Sequence, residues 1–176
     1  MADGDKKFDD LHEYTLDDAR EKEMLEKQNE CVFMWTNKAG EPVGVVMCYM
    51  AAKGKLWLTL LEERPRVAAV RRDPRTCLVI SSAGCDMKTG KTITYKGKTV
   101  VHGNEDKALR AWFFPEFAKR LHRGNNKERI AQIASFLDVP DRVIFEFTIT
   151  KKIGYDGDKM AADTPGSEGG FDTMFS

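Results

Sequence analysis

The stretch KGKLWLTLLEERPRVAAVRRDPRTCLVI, residues 53–80, joins an apolar strand, a basic helix and a second apolar strand without a break. Five arginines fall within the twelve residues 64–75, although the chain as a whole carries no net charge. Pro65 suits the first turn of a helix, where its missing N–H costs nothing. In that helix Val67 and Val70 share one face, which we expect to point inward. Two explanations of the arginines stay open at this point: a solvated basic helix, or a site for an anion.

The composition excludes several classes of protein. The chain has 176 residues, about one domain by length. Its 28 Lys and Arg balance 28 Asp and Glu, so we expect neither nucleic acid nor a membrane as a partner. No apolar run approaches the roughly 20 residues that span a bilayer, and no signal peptide opens the sequence. The four cysteines lack metal-ligand spacing and are typical of thiols in a reducing cytoplasm, so we expect a cytoplasmic protein without a metal site.

The two ends of the chain differ in composition from its middle. Residues 1–14 are acidic and are predicted to be a flexible leader. Thr15 is the expected cap of a first helix, with acidic residues in its first turn, where the helix dipole favours negative charge. The Gly-, Ser- and Asp-rich residues 157–176 are predicted to be a flexible tail. A single domain is therefore expected over residues 15–156.

The middle of the chain is mostly β in pattern. Six strands are predicted, at residues 31–36, 43–50, 56–61, 76–84, 92–103 and 142–155. The second is apolar on both faces, which favours a central strand covered on both sides. Gly97 breaks the alternation of the fifth and predicts a bulge. Strands that follow one another without intervening helices favour a mainly β fold, a six-stranded antiparallel barrel with flanking helices.

Helical patterns fill the segment between the last two strands. Asn104 is the predicted cap of one helix, and Pro115 is predicted to start a second rather than to kink the first. A third helix is expected over residues 125–138. Its predicted inward face consists of Ile130, Ile133 and Phe136.

Residues 31–103, and the last strand loosely, resemble the FMN-binding split barrels, the pyridoxamine 5′-phosphate oxidase-like family with its flavin and deazaflavin oxidoreductase relatives. The resemblance rests on an ordered set of motifs: MWTNKAGEPVGVVMCYMAAKGK, then LWLT, then RPR, then RRDPR. The closing IGYDGDK is similar to the terminal strand of the deazaflavin-using branch. The resemblance implies a split barrel, a homodimer that completes its site from two subunits, and FMN or the deazaflavin coenzyme F-420 as cofactor.

In that family the basic loop and the start of the short helix bind the cofactor phosphate, which assigns this role to Arg64 and Arg66. The physical chemistry agrees, because a helix N-terminus offers free N–H groups and guanidinium matches phosphate oxygens. Arg71, Arg72 and Arg75 lie at the other end of the helix, where a purely structural role suffices.

The resemblance also assigns weaker contacts. Residues 43–48, with Met47 and Cys48 at their end, correspond to the segment along the flavin ring. Leu58 and Thr59 correspond to positions near the phosphate or ribityl chain, and Thr92 to a polar position near the ring. For each of these, plain strand packing is an equally good explanation. A longer F-420 tail could meet four lysines, although their role as soluble turn residues explains them equally well. They are Lys88, Lys91, Lys96 and Lys98.

Two departures from the family narrow the function. Val43 and Cys48 stand where pyridoxamine phosphate oxidases have Arg and Lys, and the C-terminal Arg-containing substrate motif is missing, so oxidation of pyridoxamine phosphate is not expected. No acid, base or nucleophile constellation is evident. The expected function is hydride transfer from the bound cofactor to a small hydrophobic acceptor. The alternative is a carrier that binds the cofactor without turnover.

For the expected dimer interface, the sequence offers an aromatic group in the helical segment. Core packing explains part of the group equally well. It consists of Trp112, Phe113, Phe114 and Phe117.

Overall fold

The computed structural model describes residues 11–87 and 90–163. The strands are β1 (Glu30–Thr36), β2 (Pro42–Cys48), β3 (Met50–Ala52), β4 (Lys55–Leu61), β5 (Arg75–Ser81), β6 (Lys91–His102) and β7 (Arg142–Asp156). The helices are a 3₁₀ turn (Leu11–Tyr14), α1 (Asp18–Lys27), α2 (Pro65–Arg72), α3 (Lys107–His122), α4 (Lys127–Leu137) and α5 (Gly157–Asp163). None of the helices in these two ranges is both long and apolar enough to cross a bilayer. The mainly β class with flanking helices is confirmed.

The strands form one antiparallel sheet in the order β2-β1-β5-β6-β7-β4-β3. Its two ends curl toward each other, so that β2 contacts β4 without forming a ladder with it. The prediction of six strands is wrong by one, because the expected strand at residues 43–50 is interrupted at Tyr49. The ladder with β1 ends at Cys48, and the Tyr49 N–H donates to the carbonyl of Asn29, just before β1. Met50 then pairs with Trp57 of β4.

The expectation that this segment is a central strand is also wrong. β2 is the last strand at one end of the sheet, and Val46 on its outer face is 65% exposed. Inward-pointing Met47 is buried, as the alternation requires. The outer face of β2 is therefore uncovered by the described parts of its own chain at Val46, whereas Cys48 on the same face is partly buried.

Two hydrophobic clusters hold the sheet. The first fills the inside of the curl, where Leu58, Phe33 and Phe145 meet, and α2 adds Val67 and Val70 to it as predicted. The second lies on the outer face of β4 and β7, beneath α3 and α4. Its buried members include Trp57, Phe113, Phe114, Phe117 and Ile144. The phenylalanines proposed for a dimer interface are thus core residues, and Trp112 packs partly buried against them.

Several helix boundaries differ from those predicted. Asp17, not Thr15, caps α1 and accepts a hydrogen bond from the Arg20 N–H at 2.9 Å. Asp106, not Asn104, caps α3. Pro115 lies inside α3 instead of starting a second helix.

Pro115 is tolerated there because it lies on the solvent side of α3. It is exposed, and so is Ala111, whose carbonyl receives no N–H from the proline and can turn to water. In α4, Ile133 packs on the second cluster as predicted, but Phe136 is 76% exposed. The predicted inward face is therefore wrong at Phe136.

Both ends of the described chain pack on the sheet. Tyr14 of the 3₁₀ turn is buried, and α5 begins at the first residue of the expected tail. Buried Lys91 joins the end of β7 to α5 through Asp156 at 3.7 Å and Asp158 at 2.8 Å. Residues 1–10 and 164–176 of the expected leader and tail lie outside the described residues.

The predicted bulge is confirmed: the register of β6 against β7 shifts between Lys96 and Gly97. A Cβ at Gly97 would lie 2.2 Å from the Thr148 carbonyl oxygen and 2.5 Å from the Phe147 ring. Only glycine allows these two strands to approach so closely, because an L side chain would overlap fixed backbone.

Gly97→Ala should therefore lower the free energy of unfolding by about 3 kcal/mol, the upper end for overpacking. The matched control is Gly90→Ala, where a Cβ meets nothing within 4 Å, and the change should stay within about 0.5 kcal/mol. Urea denaturation followed by circular dichroism measures both. Equal stabilities of the two variants would contradict the assigned close approach.

Candidate functional site

The five arginines of residues 64–75 divide into two groups in the structure. Three have structural partners. Arg71 pairs with Glu62, and Arg72 donates to the Thr36 carbonyl. Arg75 pairs with Asp73, and this hydrogen bond lowers the pKa of the Asp73 carboxyl to about 2. These arginines fasten α2 to its neighbours, which accords with the structural role proposed for them.

Arg64 and Arg66 make up the second group. Arg64 is the N-cap residue of α2 and Pro65 is the first helical residue, so the helix starts where the sequence predicts. Neither arginine has an ion-pair partner within the described ranges. The Nε atom of Arg66 is buried and has no hydrogen-bond partner in residues 11–87 and 90–163. Burial, and secondarily the charge of Arg64, lowers the pKa of Arg66.

Arg64 and Arg66, whose guanidinium groups repel each other, lie at the N-terminus of α2, an arrangement that is suited to an anion. A buried donor without an acceptor costs free energy, and an anionic oxygen would remove that cost. The peptide N–H groups of the first helical turn add positive potential at the same place. Of the two explanations of the arginines, the anion site fits Arg64 and Arg66, and the structural one fits the other three.

Four more predicted residues lie together at the split between β2 and β4. Met47 and Cys48 end β2, and Leu58 and Thr59 lie on β4, which contacts β2 without forming a ladder with it. Cys48 and Thr59 point outward, and the Thr59 hydroxyl donates to the Val143 carbonyl at 2.8 Å. Burial, followed by the charge of Glu30, raises the pKa of Cys48, which keeps it a neutral thiol at pH 7.

Met47 and Leu58 lie at the same split but point into the first cluster. Their side chains are therefore packed in the core, and only their backbone borders the split. Thr59 stands five residues before Arg64, so the strand leads directly from the split to the arginines.

Thr92 is not brought to this place. It is an exposed residue at the start of β6, paired with Ser81 and Tyr155. Across the sheet, Thr59 of β4 pairs with Ile144 of β7, and Ile144 pairs with His102 of β6. His102 is therefore the β6 residue in the same row across the sheet as Thr59. Ten residues of strand, roughly 30 Å, therefore separate Thr92 from that row within one protomer.

The lysines proposed to meet a longer cofactor tail also separate. Lys91 cannot do so, because it is fully buried and pairs with Asp156 and Asp158. Lys96 and Lys98 lie on the outer face of the sheet, where they line a groove of about 600 Å³. Lys88 lies outside the described residues.

The resemblance assigns residues 43–48 to the cofactor ring, but sequence reasoning missed that Gly44 and Val46 form an exposed outer face of β2. A Cβ at Gly44 would come within 3.0 Å of Val32, so glycine keeps this face flat. The sequence feature that corresponds to this face is the apolar pattern on both sides of residues 43–50, which predicts a strand buried within one chain. We call Gly44, Val46, Cys48 and Thr59 the apolar strip; it leads along the split toward Arg64 and Arg66.

No group of three or more His, Cys, Asp or Glu side chains that could hold a metal ion occurs in residues 11–87 and 90–163. The apolar strip contains no carboxylate and no histidine. What the arrangement offers chemically is a flat apolar surface, an open strand edge and a cationic end.

No known family model matches the sequence, and no curated protein matches it. Solved structures do match. A conserved hypothetical protein from Mycobacterium tuberculosis has a TM-score of 0.71 at 17% identity, covering 92% of this chain and 96% of that one. A candidate pyridoxamine 5′-phosphate oxidase from Listeria innocua has a TM-score of 0.57 at 18% identity, covering 77% and 95%. An F420 reductase has a TM-score of 0.55 at 16% identity, covering 75% and 94%.

The chain thus has the split-barrel fold of the pyridoxamine 5′-phosphate oxidase-like proteins. A heme storage protein from Vibrio cholerae has the same fold, with a TM-score of 0.63 at 11% identity over 80% of this chain and 94% of that one. Because proteins of different function share this fold at low identity, the likeness defines the fold, and the function must be argued from the site.

The two kinds of arginine should respond differently to removal of their charge. Arg66→Met should leave the free energy of unfolding of the ligand-free protein unchanged or raise it by up to about 1 kcal/mol, because it removes an unpartnered buried donor. Arg110→Met is the contrast: Arg110 is buried and donates to Asp138 and to the carbonyls of Val139 and Arg142. That change should cost at least about 2 kcal/mol.

Chemical denaturation of extensively dialysed protein measures both changes. If Arg66→Met destabilised the protein as much as Arg110→Met, Arg66 would have a structural role and the anion site would lose its main support.

Proposed function

We propose that the protein binds FMN or the deazaflavin coenzyme F-420 along the split between β2 and β4 and transfers a hydride to a small hydrophobic acceptor. The observation that carries the proposal is the half-buried Arg66, whose buried Nε atom has no hydrogen-bond partner among the described residues, beside Arg64 at the start of α2. A phosphate group supplies the missing acceptor and the missing negative charge.

The residues of the site fit such a cofactor. Arg64, Arg66 and the first turn of α2 hold the phosphate, and the strip formed by Gly44 and Val46 takes a planar ring. Backbone groups on the open edge of β2 are suited to hydrogen-bond the polar edge of that ring. When bound, the cofactor accepts and donates the hydride, while this chain orients it and excludes water from one face.

Both cofactors carry a phosphate that this site can take. The sequence IGYDGDK resembles the branch that uses F-420, but its side chains make contacts within the protein. Asp156 and Asp158 pair with Lys91, and the Tyr155 hydroxyl contacts Met160. It therefore supports neither cofactor over the other. Fluorescence titration with FMN and F-420 in parallel identifies the one that binds.

A homodimer is part of the proposal. Val46 on β2 and Val100 on β6 are 65% and 51% exposed on outer faces of the sheet. Thr92 lies ten residues of β6 from the row of Thr59, so it can reach a cofactor in the split only from a second copy. Covering these faces with a second protomer would bury apolar surface and bring Thr92 to the cofactor.

The alternative function, a carrier that binds the cofactor without turnover, is favoured by one observation: the apolar strip has no ionisable side chain except the neutral thiol of Cys48. The two functions are distinguished by loading the protein with reduced cofactor without oxygen and adding quinones, tetrapyrroles or enones. Reoxidation faster than that of free cofactor supports the oxidoreductase, whereas no acceleration across the panel supports the carrier.

Arg64→Ala and Arg66→Ala should each weaken binding of the preferred cofactor about ten- to hundred-fold, since a charge-assisted contact contributes about 1.5–3 kcal/mol. The matched control is Arg72→Ala, at the far end of the same helix, where the partner is a carbonyl of the same chain. It should leave affinity within about twofold. Quenching titrations of the three folded variants decide the matter, and unchanged affinity in all of them would refute the phosphate site.

In solution the protein should have a mass of about 40 kDa by light scattering, twice the 19.9 kDa of one chain. Val100→Glu should shift the mass to that of a monomer, because it places charge on the face proposed to be covered. Phe136→Glu on α4 is the control, since that side chain is more exposed but lies on the helical layer. A monomeric wild-type protein at micromolar concentration would refute the shared site.

A further inference from the structure

A second cleft, of about 480 Å³, lies between the β3–β4 hairpin and the C-terminal half of α3. Its lining contains none of the residues of the apolar strip and neither Arg64 nor Arg66. Residues 50–52 and Trp112 give it an apolar surface. This volume lies within the range of small-molecule pockets.

Trp112 forms the aromatic wall of the cleft. It packs edge-to-face on Trp57, with 5.1 Å between ring centroids, and this contact with the core fixes the orientation of the Trp112 ring. The Nζ atom of Lys53 lies 3.5 Å from the centroid of the Trp112 ring. Lys53 is at the tip of the hairpin with a φ of 53°, a left-handed conformation that the hairpin turn imposes. An aromatic surface and a cation thus meet at one point of the cleft.

The rim of the cleft is strongly cationic. Lys53, Lys119, Arg120 and Arg123 line it, against the single carboxylate of Glu116. None of the four cations has an ion-pair partner in the part of the chain that the structure describes.

The two arginines of the rim bond only to neutral acceptors. Arg120 donates to the carbonyls of Leu25, Glu26 and Gln28 at the end of α1, and Arg123 donates to that of Lys27. The end of α1 contributes about half a negative charge, which leaves most of the positive charge uncompensated. The Nε atom of Arg120 is also buried, and no described residue supplies it with a hydrogen-bond partner.

We propose that this cleft is a binding site for a small planar aromatic anion, such as an aryl carboxylate or aryl sulfonate. The ring would lie on the apolar surface beside Trp112, and the acid group would pair with the cations of the rim. The site is separate from the phosphate site and does not depend on the proposed cofactor. Met50 follows Cys48 by two residues, so an occupant contacts the chain segment that runs on from the apolar strip.

The test uses naphthalene-2-sulfonate as the probe and calorimetry of the full-length protein. We expect saturable one-to-one binding, with neutral 2-naphthol and non-aromatic methanesulfonate each at least tenfold weaker. The double variant Lys119→Gln/Arg123→Asn should weaken binding at least tenfold, with asparagine chosen because Arg123 has a φ of 51°. Trp112→Leu should have a similar effect.

Arg64→Ala is the control and should leave binding of the sulfonate unchanged, whether or not the protein binds a flavin. Thermal melts confirm that each variant is folded. Absence of saturable binding, binding that survives the cleft variants, or loss of binding in Arg64→Ala would each overturn the proposal. In the last case the probe would occupy the phosphate site.

Discussion

The architecture depends on one constraint, the incomplete closure of the sheet between β2 and β4. At Tyr49 the chain exchanges pairing with β1 for pairing with β4, so the two ends of the sheet make contact without forming a ladder. A strand edge left open in this way exposes hydrogen-bonding groups and invites pairing with other chains. The exposed Val46 on the same strand adds an apolar surface. A planar cofactor and a second protomer would cover what the barrel leaves open.

Placement of α2 follows from the same constraint. β4 runs along the split and leads into Pro65, so the positive end of α2 is held next to the open edge. Val67 and Val70 anchor the helix in the core, and Arg71, Arg72 and Arg75 are used for local contacts. Of the five arginines in residues 64–75, only Arg64 and Arg66 have no side-chain partner among the residues that the structure describes. A buried donor without an acceptor lowers the stability of the ligand-free protein. An anion bound at this place would supply the missing acceptor.

Features controlled by local rules could be predicted from the sequence. Pro65 at the start of α2 and Gly97 at the bulge are examples. Proline lacks the backbone N–H and glycine lacks the Cβ, so each residue marks a local conformation that few other residues favour. Cap positions were less certain. Thr15 and Asp17 are both good caps, and tertiary packing decides which of two closely spaced candidates begins the helix.

Features decided by distant contacts could not be predicted in this way. Lys91 looked like a turn lysine, but its partners Asp156 and Asp158 are more than sixty residues away. The apolar pattern of residues 43–50 has two alternative explanations: burial by the same chain, or burial by a ligand or a second protein. The pattern alone does not distinguish them. For the candidate site, the sequence singled out Arg64 and Arg66, which have no ion-pair partner among the described residues, whereas the exposure of Gly44 and Val46 could be recognised only in the structure.

The central claim is that the guanidinium of Arg66 completes its hydrogen bonding with a cofactor phosphate. A double-mutant cycle on FMN and riboflavin tests it most directly, because riboflavin lacks only the phosphate. For the wild-type protein, FMN should bind at least tenfold more tightly than riboflavin. For Arg66→Ala that ratio should fall toward one while the affinity for riboflavin stays the same. A ratio that persists unchanged in Arg66→Ala would show that Arg66 does not hold the phosphate, and the account of the site would be wrong.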